Sequence, residues 1–133
     1  MIVVDACVVA NLVGDDGADG RAARDAARAA GVLSAPDLVD VETVSVLRKR
    51  WLAGAMDDDR LRAAVDDLAT LPITRYPSAP LMRRAYELRT IVTPYDAPYV
   101  ALAEGLACAL LTADERLSKA PGPACPIEVL RAA

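Results

Sequence analysis

Residues 2–4 form a β-branched apolar run closed by an acid, Asp5, and residues 6–13 continue apolar with a single Asn. That pattern predicts a buried strand turning straight into a short helix. Asp15 to Gly20 reads as a turn, and Ala22 to Ala30 as an Ala- and Arg-rich helix stopped by Gly31. Residues 32–34 suggest a second strand, with Pro36 suited to the first turn of a helix over Asp37 to Ala53 that Gly54 ends. In this helix Leu38, Val41 and Ser45, with Val39 and Val46, recur at spacings of three and four. Asp57 can cap a further helix through Leu71, striped by Leu61, Val65 and Leu68, before a brief strand over residues 72–76.

A helix after Pro80 turns Leu81, Ala85 and Leu88 inward and leaves Arg83, Arg84 and Arg89 largely outward. Pro98 is tolerated only in a first helical turn, so residues 94–98 mark a helix start that continues from Tyr99 to Leu106. Residues 109–112 predict a buried strand, Asp114 opens a short helix through Lys119, and a Pro- and Gly-rich stretch leads to a last strand, Ile127 to Leu130. Strands alternating with helices imply an α/β fold, a mostly parallel sheet of short strands with helices on both faces. No repeat or composition break divides the chain, so residues 1–133 read as one domain.

Composition narrows the chemistry. Hydrophobic residues make up 54% of the chain, yet there is no Phe, one Trp and four Tyr, so the core is aliphatic and aromatic binding platforms are not expected. With no histidine, Ser/His/Asp and Cys/His nucleophile pairs and histidine metal sites are excluded. Acid–base or metal chemistry therefore has to run on carboxylates. Cys7, Cys108 and Cys125 are odd in number and lack a CxxC pair, which fits neither a disulfide framework nor a four-thiolate zinc site and suits a reducing cytoplasm. The N-terminus has no basic run of a secretory signal, and no uncharged stretch approaches the roughly 20 residues of a spanning helix. The formal net charge of -4 argues against general adhesion to polyanions, so a nucleic-acid substrate needs local neutralisation by divalent cations.

In a parallel α/β sheet, ligands gather outside the carboxyl ends of the strands, near a topological switch point. Asp5 follows the first strand and Asp114 follows residues 109–112 within two positions, so parallel strands bring both to one edge. Asp96 joins them from a helix N-terminus. Glu42 sits on a helix one turn from Leu38, Val39 and Val46, a poor place for an unpaired charge; a cation or Lys49 would serve as its partner. Clustered carboxylates repel unless a divalent ion neutralises them, and hard oxygen ligands favour Mg²⁺ or Mn²⁺. Such a site suits phosphodiester hydrolysis. Taken singly, Asp96 and Asp114 also read as helix caps, Asp5 as a strand-end turn residue and Thr112 as an ordinary strand residue. Asn11 reads as orienting a carboxylate or capping locally.

Four segments in this order resemble the PIN-domain ribonucleases, specifically the toxins of VapBC-type toxin–antitoxin modules. They are residues 2–8, Ala35-Pro36 followed by Glu42 and residues 46–48, Tyr95-Asp96-Ala97 with residues 101–103, and residues 110–114. The resemblance spans nearly the whole chain and implies a single PIN-like domain acting as a Mg²⁺- or Mn²⁺-dependent endoribonuclease on structured RNA of the transfer or ribosomal class. Asp5, Glu42, Asp96 and Asp114 would be its acidic quartet, with Asp5, Asp96 and Asp114 as direct metal ligands and Glu42 on a second ion or acting through water. Thr112 would hold the last aspartate or a metal-bound water. The resemblance further implies a homodimer, a cytoplasmic location without membrane association, and an antitoxin whose tail covers the acidic site.

One departure is Cys7, where these proteins commonly carry serine; a thiol is the weaker donor, and Cys7 is expected to be a small buried residue. The Arg48-Lys49-Arg50 run and the Arg83, Arg84 and Arg89 cluster could grip phosphates but read first as solvated faces. Two competing functions remain. A PIN-like protein that binds RNA or a partner without catalysis keeps the fold. A receiver-type phosphoacceptor needs paired acids at the first strand and a lysine at a late strand end, whereas Asp5 has no acidic neighbour and Lys119 falls in a helix.

Overall fold

A computed structural model describes residues 1–132. Its centre is a five-stranded sheet of β1 (Ile2–Val4), β2 (Leu33–Pro36), β3 (Ile73–Tyr76), β4 (Leu110–Thr112) and β5 (Ile127–Val129), in the order β3-β2-β1-β4-β5. Every pairing is parallel, with Val3 opposite both Ser34 and Leu110. The connecting helices are α1 (Ala6–Gly14), α2 (Ala18–Ala30), α3 (Val39–Leu52), α4 (Asp58–Thr70), α5 (Met82–Glu87, after a 3₁₀ turn over Ala79–Leu81), α6 (Ala97–Leu106) and α7 (Glu115–Lys119). Successive strand residues face opposite sides of a sheet. All of β1, β2 and β4 is buried, so helices cover both faces, as the alternating pattern implies. A second, smaller apolar cluster of Ala10, Val13, Leu47 and Ala64 joins α1, α3 and α4. Among the described residues no helix is long and apolar enough to cross a membrane.

Three local expectations change. The turn over Asp15 to Gly20 is shorter than the sequence suggests, because α2 begins at Ala18. The Asp15 carboxylate accepts the Gly17 and Gly20 amides at 2.8 and 3.0 Å, satisfying donors that the first helical turn leaves open. Gly20 is required there, since a Cβ would stand 1.8 Å from the Asp15 carbonyl oxygen. Pro36 does not start a helix; it ends β2 opposite Tyr76. Donors alternate sides along a strand, and Asp37 N–H reaches the Tyr76 carbonyl at 2.7 Å, so the donor that Pro36 lacks would have faced β1. The pairing of β1 with β2 has already stopped at Ser34, so nothing is lost.

The third change is the rotation of α3. Its buried residues are Val39, Thr43 and Leu47, while Val41 is 75% exposed and Ser45 is exposed as well. Two apolar rows at helical spacing compete in this segment, and the one containing a threonine faces inward. This rotation predicts that Leu47→Ala, at 0% exposure, lowers unfolding free energy in urea by about 2–5 kcal/mol. Val41→Ala is expected to change it by no more than about 0.5 kcal/mol. Equal costs for the two would mean that the helix is turned the other way.

Candidate active site

The strand order places β1 beside β4, where successive connections leave in opposite directions, and the crevice beyond their carboxyl ends is the expected ligand site of an open α/β sheet. Asp5 leaves β1 there. Its amide donates to the Leu111 carbonyl at 3.2 Å, and one carboxylate oxygen accepts the Val8 amide at 3.0 Å, capping α1. The other oxygen accepts the hydroxyl of Thr112, the last residue of β4, which is 0% exposed. The same Thr112 oxygen accepts the Asp114 amide at 3.0 Å. One hydroxyl thus ties the first acid to the turn that carries the last. The acid that the Thr112 hydroxyl grips is Asp5; Asp114 is held through its backbone.

Asp96 occupies the N-cap position of α6, yet its carboxylate makes no capping bond, and its own amide is held by the Thr93 hydroxyl at 3.2 Å. The cap reading therefore fails for this side chain, which remains turned to the crevice. Asp114 does cap: it accepts the Arg116 amide at 2.9 Å and meets the Arg116 guanidinium at 3.3 and 3.4 Å. Glu42 makes no ion pair with Lys49. Its carboxylate accepts the phenol of Tyr99 at 2.6 Å, a residue of α6 that is 2% exposed.

These residues surround a cavity of about 450 Å³ lined by Asp5, Cys7, Glu42, Lys49, Asp96 and Tyr99, among others. Asp114 lies outside it, in a neighbouring groove of about 270 Å³ that shares Asp96 and includes Thr93 and Arg116. The fold thus gathers three of the four predicted acids around one cavity and sets the fourth behind Asp96. As placed, no three carboxylate or thiol side chains among the described residues converge tightly enough to enclose an ion.

The electrostatics separate the acids. Burial above all, then the charges of Asp96 and Asp114, raises Asp5 above the usual carboxylate range despite its bonds to Thr112 and Val8. Burial likewise raises Glu42, with Asp96 and Asp5 adding to it against the Tyr99 hydrogen bond. Asp96 is raised by burial and by Asp114. The Arg116 guanidinium instead lowers Asp114. Among the described residues Asp5, Glu42 and Asp96 form no ion pair, whereas Asp114 does.

Several neighbours differ from the sequence expectations. Cys7 is exposed at the cavity wall rather than buried, because the first turn of α1 points it past Asp5. Asn11 neither orients a carboxylate nor caps; it accepts Arg50 at 2.6 Å. Arg84 is bound to Glu104 at 2.8 and 3.0 Å, and Arg89 stacks over Tyr86, so those two arginines have partners of their own. Tyr99 is the site residue that sequence reasoning passed over. Its only signal was its place three residues after Asp96, on the same face of a helix. Lys119 lies in α7 and Asp5 lacks an adjacent acid, so the receiver-type constellation is not assembled.

Residues 2–123 match the PIN domain family. Ribonuclease VapC9 of Mycobacterium tuberculosis (strain ATCC 25618 / H37Rv) is 44% identical over 133 residues, covering 98% of each chain. Ribonuclease VapC1 of the same organism is 40% identical over 130 residues, covering 97% of each. Among solved structures, the fold is similar to VapBC2 from Rickettsia felis bound to a promoter DNA fragment, with TM-score 0.71 and 13% identity over 98% of this chain and 100% of that one. It is also similar to Mycobacterium tuberculosis VapC20, a sarcin-ricin loop cleaving toxin, with TM-score 0.63 and 19% identity over 83% and 87%. The α/β architecture, the family match along nearly the whole chain and the identity to curated relatives agree: the chain belongs to the PIN-domain family and, within it, to the VapC ribonucleases.

Proposed function

We propose that this chain is a metal-dependent endoribonuclease, the toxin of a VapBC-type pair, acting in the cytoplasm on structured RNA of the transfer or ribosomal class. The observation that carries this reading is the set of three half-buried carboxylates, Asp5, Glu42 and Asp96, that share one cavity without a cationic partner. An all-oxygen donor set that repels itself fits a hard divalent cation, Mg²⁺ or Mn²⁺. Asp5, Asp96 and Asp114 are the direct ligands in this reading, with Glu42 on a second ion or acting through water. Once bound, such an ion supplies a water of lowered pKa and neutralises charge on the phosphodiester.

The rest follows from the chain's own side chains. Thr112 fixes the Asp5 carboxylate, and Tyr99 fixes Glu42, so two acids are oriented before substrate arrives. Lys49 adds a positive charge at the cavity wall for an RNA phosphate. Asp114 has to exchange its exposed Arg116 contact for a ligand position, a small cost because such pairs contribute little. A homodimer and an antitoxin whose tail covers the cavity complete the proposal. Retention of RNA without cleavage would favour the binding-only alternative.

Purified chain incubated with structured RNA is expected to give discrete fragments in Mg²⁺ or Mn²⁺ and none in EDTA or with Asp5→Asn. Cleavage that survives EDTA would remove the metal from the proposal. Tyr99→Phe, which deletes one hydroxyl, is expected to reduce metal affinity or cleavage rate about 10–100-fold while the fold is retained. Wild-type titration of Mn²⁺ binding by that variant would leave Glu42 without a positioning partner.

A pH prediction follows from the raised acids. An acid whose folded pKa exceeds its unfolded value stabilises the fold below the unfolded value, and that contribution is lost as pH rises through the folded one. Asp96→Asn is therefore expected to be more stable than wild type at pH 7 in EDTA. The difference should shrink as pH falls toward the ordinary carboxylate range near about 4. Urea unfolding of both proteins across that range checks it, and a variant less stable at pH 7 would contradict the electrostatic account.

A further inference from the structure

Cys108 and Cys125 stand outside the acid site, at the amino ends of β4 and β5, and both are free thiols in the structure. The two strands pair in parallel with Leu110 opposite Ile127, Leu111 opposite Glu128 and Thr112 opposite Val129. Cys108 and Cys125 each stand two residues before the first of these pairs, at equivalent places on the segments that enter the two neighbouring strands. The last ladder bond on this side runs from the Leu110 amide to the Pro126 carbonyl at 2.9 Å, and the Cys108 amide bonds the Ala103 carbonyl at 3.0 Å, so both cysteines stand just before the ladder begins. Strands lie about 4.8 Å apart where they pair, and a disulfide spans Cα separations of about 4.4–6.8 Å, so two segments converging on the first pair are within the range that a bridge can close. Both cysteines are half-buried against the same apolar core.

Two further contacts hold the second cysteine in place. The Ala124 amide donates to Glu104 at 2.6 Å, and Glu104 is itself gripped by Arg84, so the segment before β5 is anchored on α6. Burial first, and then the Glu104 carboxylate, raise the Cys125 thiol, and Cys108 adds to the rise. Both residues lie in bends just before the regular ladder, outside its hydrogen-bonding pattern.

We propose that Cys108 and Cys125 are a modification site, a thiol pair that closes reversibly to an intramolecular disulfide by exchange with a low-molecular-weight disulfide. One thiolate attacks the small disulfide, releasing one small thiol and leaving a mixed disulfide on the protein. The second thiolate then attacks the protein sulfur of that bond, forming the Cys108–Cys125 bond and releasing the second small thiol. The small disulfide gains two electrons, and the two protons of the protein thiols pass to the two released thiolates. Cys7, at the opposite ends of the strands, has no register partner and stops at the mixed disulfide. The closed loop would contain Thr112, Asp114 and α7. This inference does not depend on the nuclease reading.

The test equilibrates the full chain, folded and in urea, with mixtures of oxidised and reduced glutathione, followed by thiol blocking and peptide mass mapping. In the folded chain Cys108 and Cys125 are expected in one cross-linked peptide pair, with an effective concentration at least about tenfold above that in urea. Cys7→Ser is expected to keep this cross-link, and Cys108→Ser is expected to leave Cys125 as a mixed disulfide. Separate glutathione adducts on Cys108 and Cys125, two free thiols, or equal cross-linking in folded and unfolded chains would each overturn the proposal. So would a Cys7–Cys125 bond in Cys108→Ser.

Discussion

The parallel pairing of β1 with β4 is the constraint on which the rest of the molecule depends. Three residues from the start of the chain and three from near its end form the middle of the sheet, and each is buried. Because the connections diverge at this pair, the carboxyl ends of the two strands open onto a crevice rather than onto a loop. Asp5 and Thr112 then face each other as a matter of register, since Val4 stands opposite Leu111. The hydroxyl bridge between them follows from strand alignment and needs no specialised loop.

The cavity is built at an electrostatic loss that the apolar framework offsets. Burial and mutual repulsion disfavour the charged forms of Asp5, Glu42 and Asp96, and the partners supplied to two of them are hydroxyls rather than cations. A hydroxyl orients a carboxylate without neutralising it. A lysine or arginine in the same place would satisfy the charge and leave no uncompensated field in the cavity. Arginines are available nearby, yet Arg50 is held by Asn11, Arg84 by Glu104, and Arg116 meets only the outermost acid.

Much of the fold was legible because short-range signals agreed: β-branched runs ending in an acid, Pro in a first helical turn, Gly after a last one. Asp5 and Asp114 could be placed by strand-end logic, and Asp57 and Asp114 by capping chemistry. What could not be read depended on partners distant in sequence. Glu42 and Tyr99 meet across 57 positions, and nothing local in either segment marks the other. The rotation of α3 was ambiguous because two rows of its residues satisfy helical spacing, and only contact with α1 and α4 selects Thr43 and Leu47. Cys7 was misjudged because a small apolar residue is usually buried, whereas here the turn after Asp5 directs it to the cavity. That Cys108 and Cys125 enter neighbouring strands follows from the β4–β5 pairing, which no sequence spacing supplies.

The bond from Thr112 to Asp5 spans 107 positions. A chain leaving the ribosome cannot make it until β4 has emerged, and the Asp96 helix and the Asp114 turn come late as well. At synthesis rates of about 5–20 residues per second, the amino-terminal half therefore spends seconds in the open with its first acid unanchored. Until β4 takes its place beside β1 the acids stay apart, and the cavity comes into being only with that pairing.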